Sequence, residues 1–276
     1  MMTLGIDIGG TNLCLGLVKD GDVSERISVP SFQPEASLDE TLDYLSAQIG
    51  RILSPETRKI GIGVPSVLDV QKGIVYDATN IPSWKEVPLK AYLQDRFSLP
   101  VAINNDANCY AMGAYGLYPK EDKPEVLVGI TLGTGVGMGI VINGKLFCGA
   151  NCGSGELCCM PYMDGIIEDY TSKKFFTGRH TGSYEAAQDA KKGDPEAMAL
   201  FEEFGGHLGS LLSAVMLAYD PSHIALGGGI ARGFPLFAPA MFASLGAQFP
   251  YKKALERLDI RPVTGDEVLL IGASLL

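Results

Sequence analysis

One pattern occurs twice in this chain. Leu4-Gly5-Ile6-Asp7-Ile8-Gly9-Gly10-Thr11 returns as Val128-Gly129-Ile130-Thr131-Leu132-Gly133-Thr134-Gly135 after a shift of 124 residues, which carries Asp7 onto Thr131. In each copy an apolar strand runs into a glycine turn and a second apolar strand follows, Leu13–Val18 or Gly137–Ile142. Each then meets a turn that tolerates positive φ, at Asp20-Gly21 and at Asn143-Gly144. Two copies imply two domains of similar topology with a cleft between them. Tyr118-Pro119-Lys120-Glu121-Asp122-Lys123-Pro124 is polar and proline-bounded, so the expected domains are residues 1–115 and 116–276, the last few residues packing back on the first.

Between the repeats, strands and helices alternate. Val23–Val29 reads as a strand and Leu38–Leu53 as an amphipathic helix with Leu38, Leu42, Leu45, Ile49 and Ile52 on one face. Lys59–Val64 is a strand stopped by Pro65, Val87–Phe97 a helix, and Val101–Ile103 a strand ahead of a helix near Ala107. In the second half Tyr184–Tyr219 is mainly helical, Ser222–Leu226 is a strand, and apolar Val268–Leu276 is too short for an independent helix. The class is α/β.

Composition excludes several functions. With 22 basic and 32 acidic residues the net charge is −10, which disfavours nucleic acid and anionic membrane surfaces as partners. No run approaches the ~20 apolar residues of a membrane span. Met1-Met2-Thr3-Leu4 lacks a signal peptide's basic start, so a cytoplasmic protein is expected. The six cysteines, with Cys158 and Cys159 adjacent, show no disulfide framework and read as reduced thiols.

The glycine turns carry the chemistry. Asp7-Ile8-Gly9-Gly10-Thr11-Asn12 places a carboxylate at a strand end and two residues without Cβ after it, where backbone N–H groups approach a polyphosphate. Asp7 beside phosphates makes sense with Mg²⁺ between them, the carboxylate acting as a hard oxygen donor through water. Thr131, Gly133, Thr134 and Gly135 form a second turn that adds hydroxyls, and Gly227-Gly228-Gly229 a third, where adenine or ribose would lie on bare backbone. A single Gly-Gly would be an ordinary hairpin; three such turns at strand ends point to a nucleotide. No Gly-Lys-Ser/Thr loop is present, and Gly5-x3-Gly9 is out of context for a dinucleotide fold. Asn105-Asp106 follows a strand, where a carboxylate can accept a hydroxyl proton; capping the next helix is the alternative role for Asp106. His180, His207 and His223 lack metal-like spacing, and Trp84 is a core or interface anchor or a cover for a sugar.

Asp7–Asn12, Gly61-Ile62-Gly63-Val64-Pro65, Asn80–Trp84, Asn104–Asn108, Thr131–Gly137, Gly153-Ser154-Gly155-Glu156-Leu157 and Leu226–Gly229 resemble, in this order, the motifs of the ROK family in the actin–hexokinase superfamily. That resemblance covers nearly the whole chain. It implies two duplicated actin-like (ribonuclease H-like) domains with an interdomain cleft, closing on ATP-Mg²⁺ and a hexose, and a homodimer. It makes Asp106 the catalytic base and places Asn105, Asp106, Glu156, Glu168 and Cys159 on the sugar. Two departures matter. Where the family carries His after its Gly-Glu motif, Cys158 and Cys159 stand here, and Met160–Ile167 lacks the family's zinc cysteines. No structural zinc is therefore expected, and the cysteines are expected to fill a small apolar pocket. The reaction implied is phosphorylation of a hexose, glucose at its 6-hydroxyl being favoured over fructose, mannose, allose or an N-acetylhexosamine. The alternative is a non-catalytic sugar sensor; the family's repressors carry a DNA-binding winged helix before the first glycine motif, and only six residues precede Asp7.

Overall fold

The computed structural model describes residues Met1–Leu276, which form two compact units. Unit 1 comprises residues 1–123, 145–154 and 265–276; unit 2 comprises 124–144 and 155–264. Residues 116–123 and 145–154, expected in the second domain, group with unit 1, because fold membership follows contacts rather than chain order.

Unit 1 is built on a sheet of β1 (Met2–Ile8), β2 (Asn12–Lys19), β3 (Asp22–Pro30), β4 (Thr57–Val64) and β8 (Val101–Asn105) in the order β3-β2-β1-β4-β8. β1 is antiparallel to β2 and parallel to β4, and β4 is parallel to β8. A strand flanked on both sides and covered on both faces is apolar throughout, hence the buried run Thr3–Ile6. Helix α1 (Leu38–Ile52) starts at a capping box, Ser37 with Glu40, and buries Leu42, Leu45 and Ile49. A small sheet of β5 (Val67–Asp69), β6 (Ile74–Tyr76) and β7 (Glu86–Val87) precedes α2 (Leu89–Phe97). Helix α3 (Asp106–Gly116) follows β8 without a loop.

The chain's end is helical despite its length. Val268–Ser274 is a helix, short but packed on β1, β4 and α3. It survives because tertiary burial replaces the length an isolated helix needs. Its approach is paved by glycine: a Cβ on Gly61 would overlap the Ala273 carbonyl, and one on Gly272 the Cys109 carbonyl.

Unit 2 repeats the strand plan. β9 (Val126–Leu132) and β10 (Val136–Ile142) form the hairpin, and β14 (His223–Gly227) and β15 (Asp259–Pro262) extend it in the order β10-β9-β14-β15. β9 and β14 are parallel with Thr131 opposite Gly227, as Asp7 lies opposite Gly63 in unit 1. The duplicated α/β architecture is thus present in both units. The core joins Val128, Ile130 and Leu132 to Phe201, Phe204 and Leu208 of the 25-residue helix Pro195–Tyr219. Asp194 caps that helix through Ala197 N–H, and Pro195 sits where no N–H is needed. No helix is long and apolar enough to cross a membrane.

Candidate active site

In unit 1 the first turn is closed by the Gly9 N–H donating to the Asn12 carbonyl at 2.9 Å, and Ser31 braces it by donating its hydroxyl to the Gly9 carbonyl at 2.6 Å. Gly10, Thr11 and Asn12 are exposed. A Cβ on Gly10 would lie 2.8 Å from the Asn80 amide nitrogen, so a side chain there would displace the Asn80 amide. Asp7, half-buried at the end of β1, has its carboxyl pushed up to about 7 by burial first and by the charge of Asp106 second. The two carboxylates of the sequence reading therefore share one electrostatic environment in unit 1.

Asn105 and Asp106 sit where β8 passes into α3. The helix cap is Asn105, whose side-chain oxygen accepts the Ala107 N–H at 2.8 Å. The capping role offered for Asp106 thus belongs to its neighbour, although Asp106 Oδ1 also accepts that N–H at 2.8 Å. Behind them lies buried Asn104, whose Oδ1 accepts the Asn105 N–H and the Asn108 amide, both at 2.9 Å.

In unit 2 the Gly133 N–H donates to the Gly135 carbonyl at 3.0 Å, and the Gly137 N–H donates to the Thr131 hydroxyl at 3.2 Å. Glu168 is held against this turn. Its Oε2 accepts the Val136 N–H at 3.0 Å, its Oε1 takes Lys174 Nζ at 2.7 Å, and a Cβ on Gly135 would meet it at 2.6 Å. At the third turn Gly227 ends β14, and Gly228, at φ +81°, open to glycine, begins the next short helix. The second and third turns meet: Gly133, Thr134 and Gly229 line one cavity of about 360 Å³ with Lys173, Tyr184 and Glu185. The Lys173 N–H donates to the Gly133 carbonyl at 2.8 Å.

Glu156 opens a short 3₁₀ turn, Glu156–Cys159, behind Gly155 at φ +100°. It is exposed, as is Cys159, whose sulfur lies 3.6 Å from Glu156 Oε2. Cys158 is buried, its thiol pushed up to about 12 chiefly by burial. Glu156, Cys158 and Cys159 bring three potential metal donors within 4.8 Å of one another, one short of a tetrahedral structural site.

The expectation that the cysteines fill an apolar pocket is corrected for Cys148 and Cys152. Both are half-buried and hydrogen-bonded to the Asn104 and Asn108 amides, because the loop returns to the polar start of α3. Trp84 is fully buried in unit 1 and donates its indole N–H to the Thr41 hydroxyl at 2.7 Å, which makes it a core anchor. Sequence reasoning named Asn104 only within the Asn104–Asn108 motif and gave it no role. It missed Lys173, which had no signal, since only folding carries it to the Gly133 turn.

The sequence matches the ROK family over residues 3–276. It is 28% identical to an N-acetyl-D-glucosamine kinase of Escherichia coli O9:H4 (strain HS), with 90% of this chain and 89% of that one covered. It is 26% identical to a glucokinase of Halalkalibacterium halodurans, covering 83% of this chain and 80% of the relative. The fold superposes with a TM-score of 0.81 on a ROK family glucokinase from Streptomyces griseus in complex with glucose and AMPPNP, at 25% identity and with 99% and 98% of the two chains covered. A match of that extent, on two actin-like units whose glycine turns stand at equivalent strand ends, means that the chain belongs to the ROK family.

Proposed function

We propose that this ROK-family sugar kinase transfers the γ-phosphoryl group of ATP to a hexose hydroxyl, with glucose at its 6-hydroxyl the favoured acceptor. The observation that carries the reading is the cavity in unit 2 where the second and third glycine turns meet, a place for a nucleotide against bare backbone. The named activities of the relatives, an N-acetyl-D-glucosamine kinase and a glucokinase, support phosphoryl transfer to a sugar.

Asp106 is the base. Phosphoryl transfer is mainly positioning and charge stabilisation, and the attacking hydroxyl must surrender its proton as the bond forms. The Asp106 carboxylate accepts it, while Asn105, Glu156 and Cys159 orient the sugar's other hydroxyls. Glu168, tied to Val136 and Lys174, joins that set with the oxygen lone pairs that remain. Thr131, Thr134 and the amides of both hairpins cradle phosphates, and Gly227–Gly229 receives adenosine. Lys173 is the cation of the unit 2 cavity; neighbouring Lys174 and Arg179 are held by Glu168, Asp169 and Glu203.

A divalent cation fits Asp7. A half-buried carboxylate whose pKa is driven up by burial and by a second carboxylate lacks a counter-charge, and its oxygens are the donors Mg²⁺ prefers. Asp7 would hold it through water, and the bound ion would supply charge neutralisation for the phosphates.

The test is ADP formation from Mg-ATP with about a dozen sugars supplied singly. Sugar-dependent ADP is the expected result; stabilisation of the fold by a sugar without turnover would replace the kinase by a sensor. With the best sugar, Asp106→Asn should lower kcat by roughly 10²–10⁴-fold while retaining sugar-induced thermal stabilisation. Unchanged kcat would remove Asp106 from the role of base.

A further inference from the structure

Two side chains on unit 1 stand outside the proposed transfer chemistry yet touch its support. Cys148 and Cys152 flank a tight loop closed by the Ser154 N–H donating to the Cys148 carbonyl at 3.2 Å. Gly149 turns at φ +71° and Cys152 itself at φ +57°, a left-handed backbone uncommon for a residue with a side chain. That turn folds the two thiols onto one amide. Cys148 Sγ lies 3.6 Å from Asn104 Nδ2 and Cys152 Sγ 3.5 Å from Asn104 Oδ1. Asn108 Nδ2 reaches both sulfurs, at 3.8 and 3.7 Å. The pair also lines a cavity of about 520 Å³ with Val67, Asp69, Gln71 and Tyr76, so a small reagent has access.

We propose that Cys148 and Cys152 are a thiol-modification site at which a peroxide converts the dithiol to an intramolecular disulfide. The Cys148 thiolate attacks one peroxide oxygen; the O–O bond breaks, the sulfur becomes sulfenic acid, and the departing oxygen leaves as water after taking a proton. The Cys152 sulfur then attacks the sulfenic sulfur, forms the S–S bond and expels hydroxide, which leaves as a second water with the Cys152 proton. Two thiols lose two electrons and the peroxide gains them. The acidities suit the order of attack. Hydrogen bonding from Cys152, and less from Asn104, draws the Cys148 thiol below its ordinary value, whereas Cys152 is raised.

The consequence runs through Asn104. Its side-chain oxygen holds the Asn105 N–H and the Asn108 amide, and it also accepts the Cys152 thiol. A disulfide removes both thiol protons and pulls the sulfurs together, which loosens the amide that positions Asn105-Asp106. This second part rests on the proposed kinase reading; the oxidation does not.

The experiment treats the reduced full chain with hydrogen peroxide, alkylates remaining thiols, digests it and weighs the peptides. Cys148 and Cys152 should escape alkylation together, in a peptide lighter by two hydrogen atoms, and dithiothreitol should reverse this. Cys148→Ser, and separately Cys152→Ser, should leave the other cysteine without the disulfide; thermal melts confirm that each variant folds. Full alkylation of both residues after peroxide, with exposed Cys159 oxidised instead, would overturn the proposal. In the ADP assay, peroxide should raise KM for the sugar about tenfold in the parent and leave the C148S/C152S double variant unaffected. Equal loss in both would sever the link to Asn104. Absence of sugar-dependent ADP from the reduced protein would count against the kinase reading and leave the mass result to decide the oxidation.

Discussion

The two glycine hairpins share backbone plan and differ in what stands at the strand end. In unit 1 that place holds Asp7, a half-buried carboxylate raised to about 7; in unit 2 it holds Thr131, whose hydroxyl accepts the Gly137 N–H within its own turn. One copy carries an uncompensated anion and the other is satisfied by itself. The acidic residue beside the second turn, Glu168, is neutralised by Lys174 and a backbone N–H, and a further cation, Lys173, faces the cavity. A duplicated fold thus yields two glycine turns of opposite electrostatics: a carboxylate with a raised pKa ends the first strand, and a lysine lines the cavity beside the second turn. Burial of the Asp7 carboxylate costs stability at the first hairpin, since a buried charge is costly unless it is paired.

The comparison breaks most sharply at Asp7. Asp7→Asn should lower kcat/KM for Mg-ATP on the order of 10²-fold and flatten its dependence on Mg²⁺ concentration. It should also raise Tm, in a pH-dependent way. A carboxyl near 3.8 when unfolded and about 7 when folded binds more protons folded between those values. Its penalty is absent at the acidic end, grows as pH rises and is complete above about 7. The Tm gain of the variant should therefore be several degrees at pH 8 and vanish near pH 4. A gain independent of pH would mean that Asp7 is not the strained group.

Lys173→Met comes next. Calorimetric affinity for ADP and ATP should fall roughly tenfold with adenosine binding unchanged, and Lys173→Arg should restore most of it. Lys174→Met, on the ion-paired neighbour, should have a smaller effect on nucleotide. Equal effects would place the phosphates away from the cavity. The smallest change expected is Thr131→Val, which removes one hydrogen bond within the second turn and should cost about 1 kcal/mol by denaturant titration, with Mg²⁺ dependence as in the parent.

Much of this was legible in the order of residues, and for physical reasons. The internal repeat, the strand ends at Asp7 and Thr131 and the helix Leu38–Ile52 follow from local periodicity and turn chemistry, which act over a few residues. Long-range features were not. That Val268–Ser274 is a helix depends on a glycine-paved surface whose parts lie some two hundred residues earlier in the chain. Asn105 rather than Asp106 caps α3 because of how the chain leaves β8, a matter of dihedral angles that residue types do not report.

The sequence by itself determined that the chain is a duplicated α/β protein with three glycine turns at strand ends and one acidic residue after the strand between the hairpins. Only the tertiary structure decided that Gly133 and Gly229 share a cavity with Lys173, that Glu168 is engaged by Lys174, and that two thiols converge on Asn104. Periodicity and turn preference are local interactions that every copy of the sequence repeats. Convergence of side chains distant along the chain is set by packing of the whole core, where each position depends on all the others.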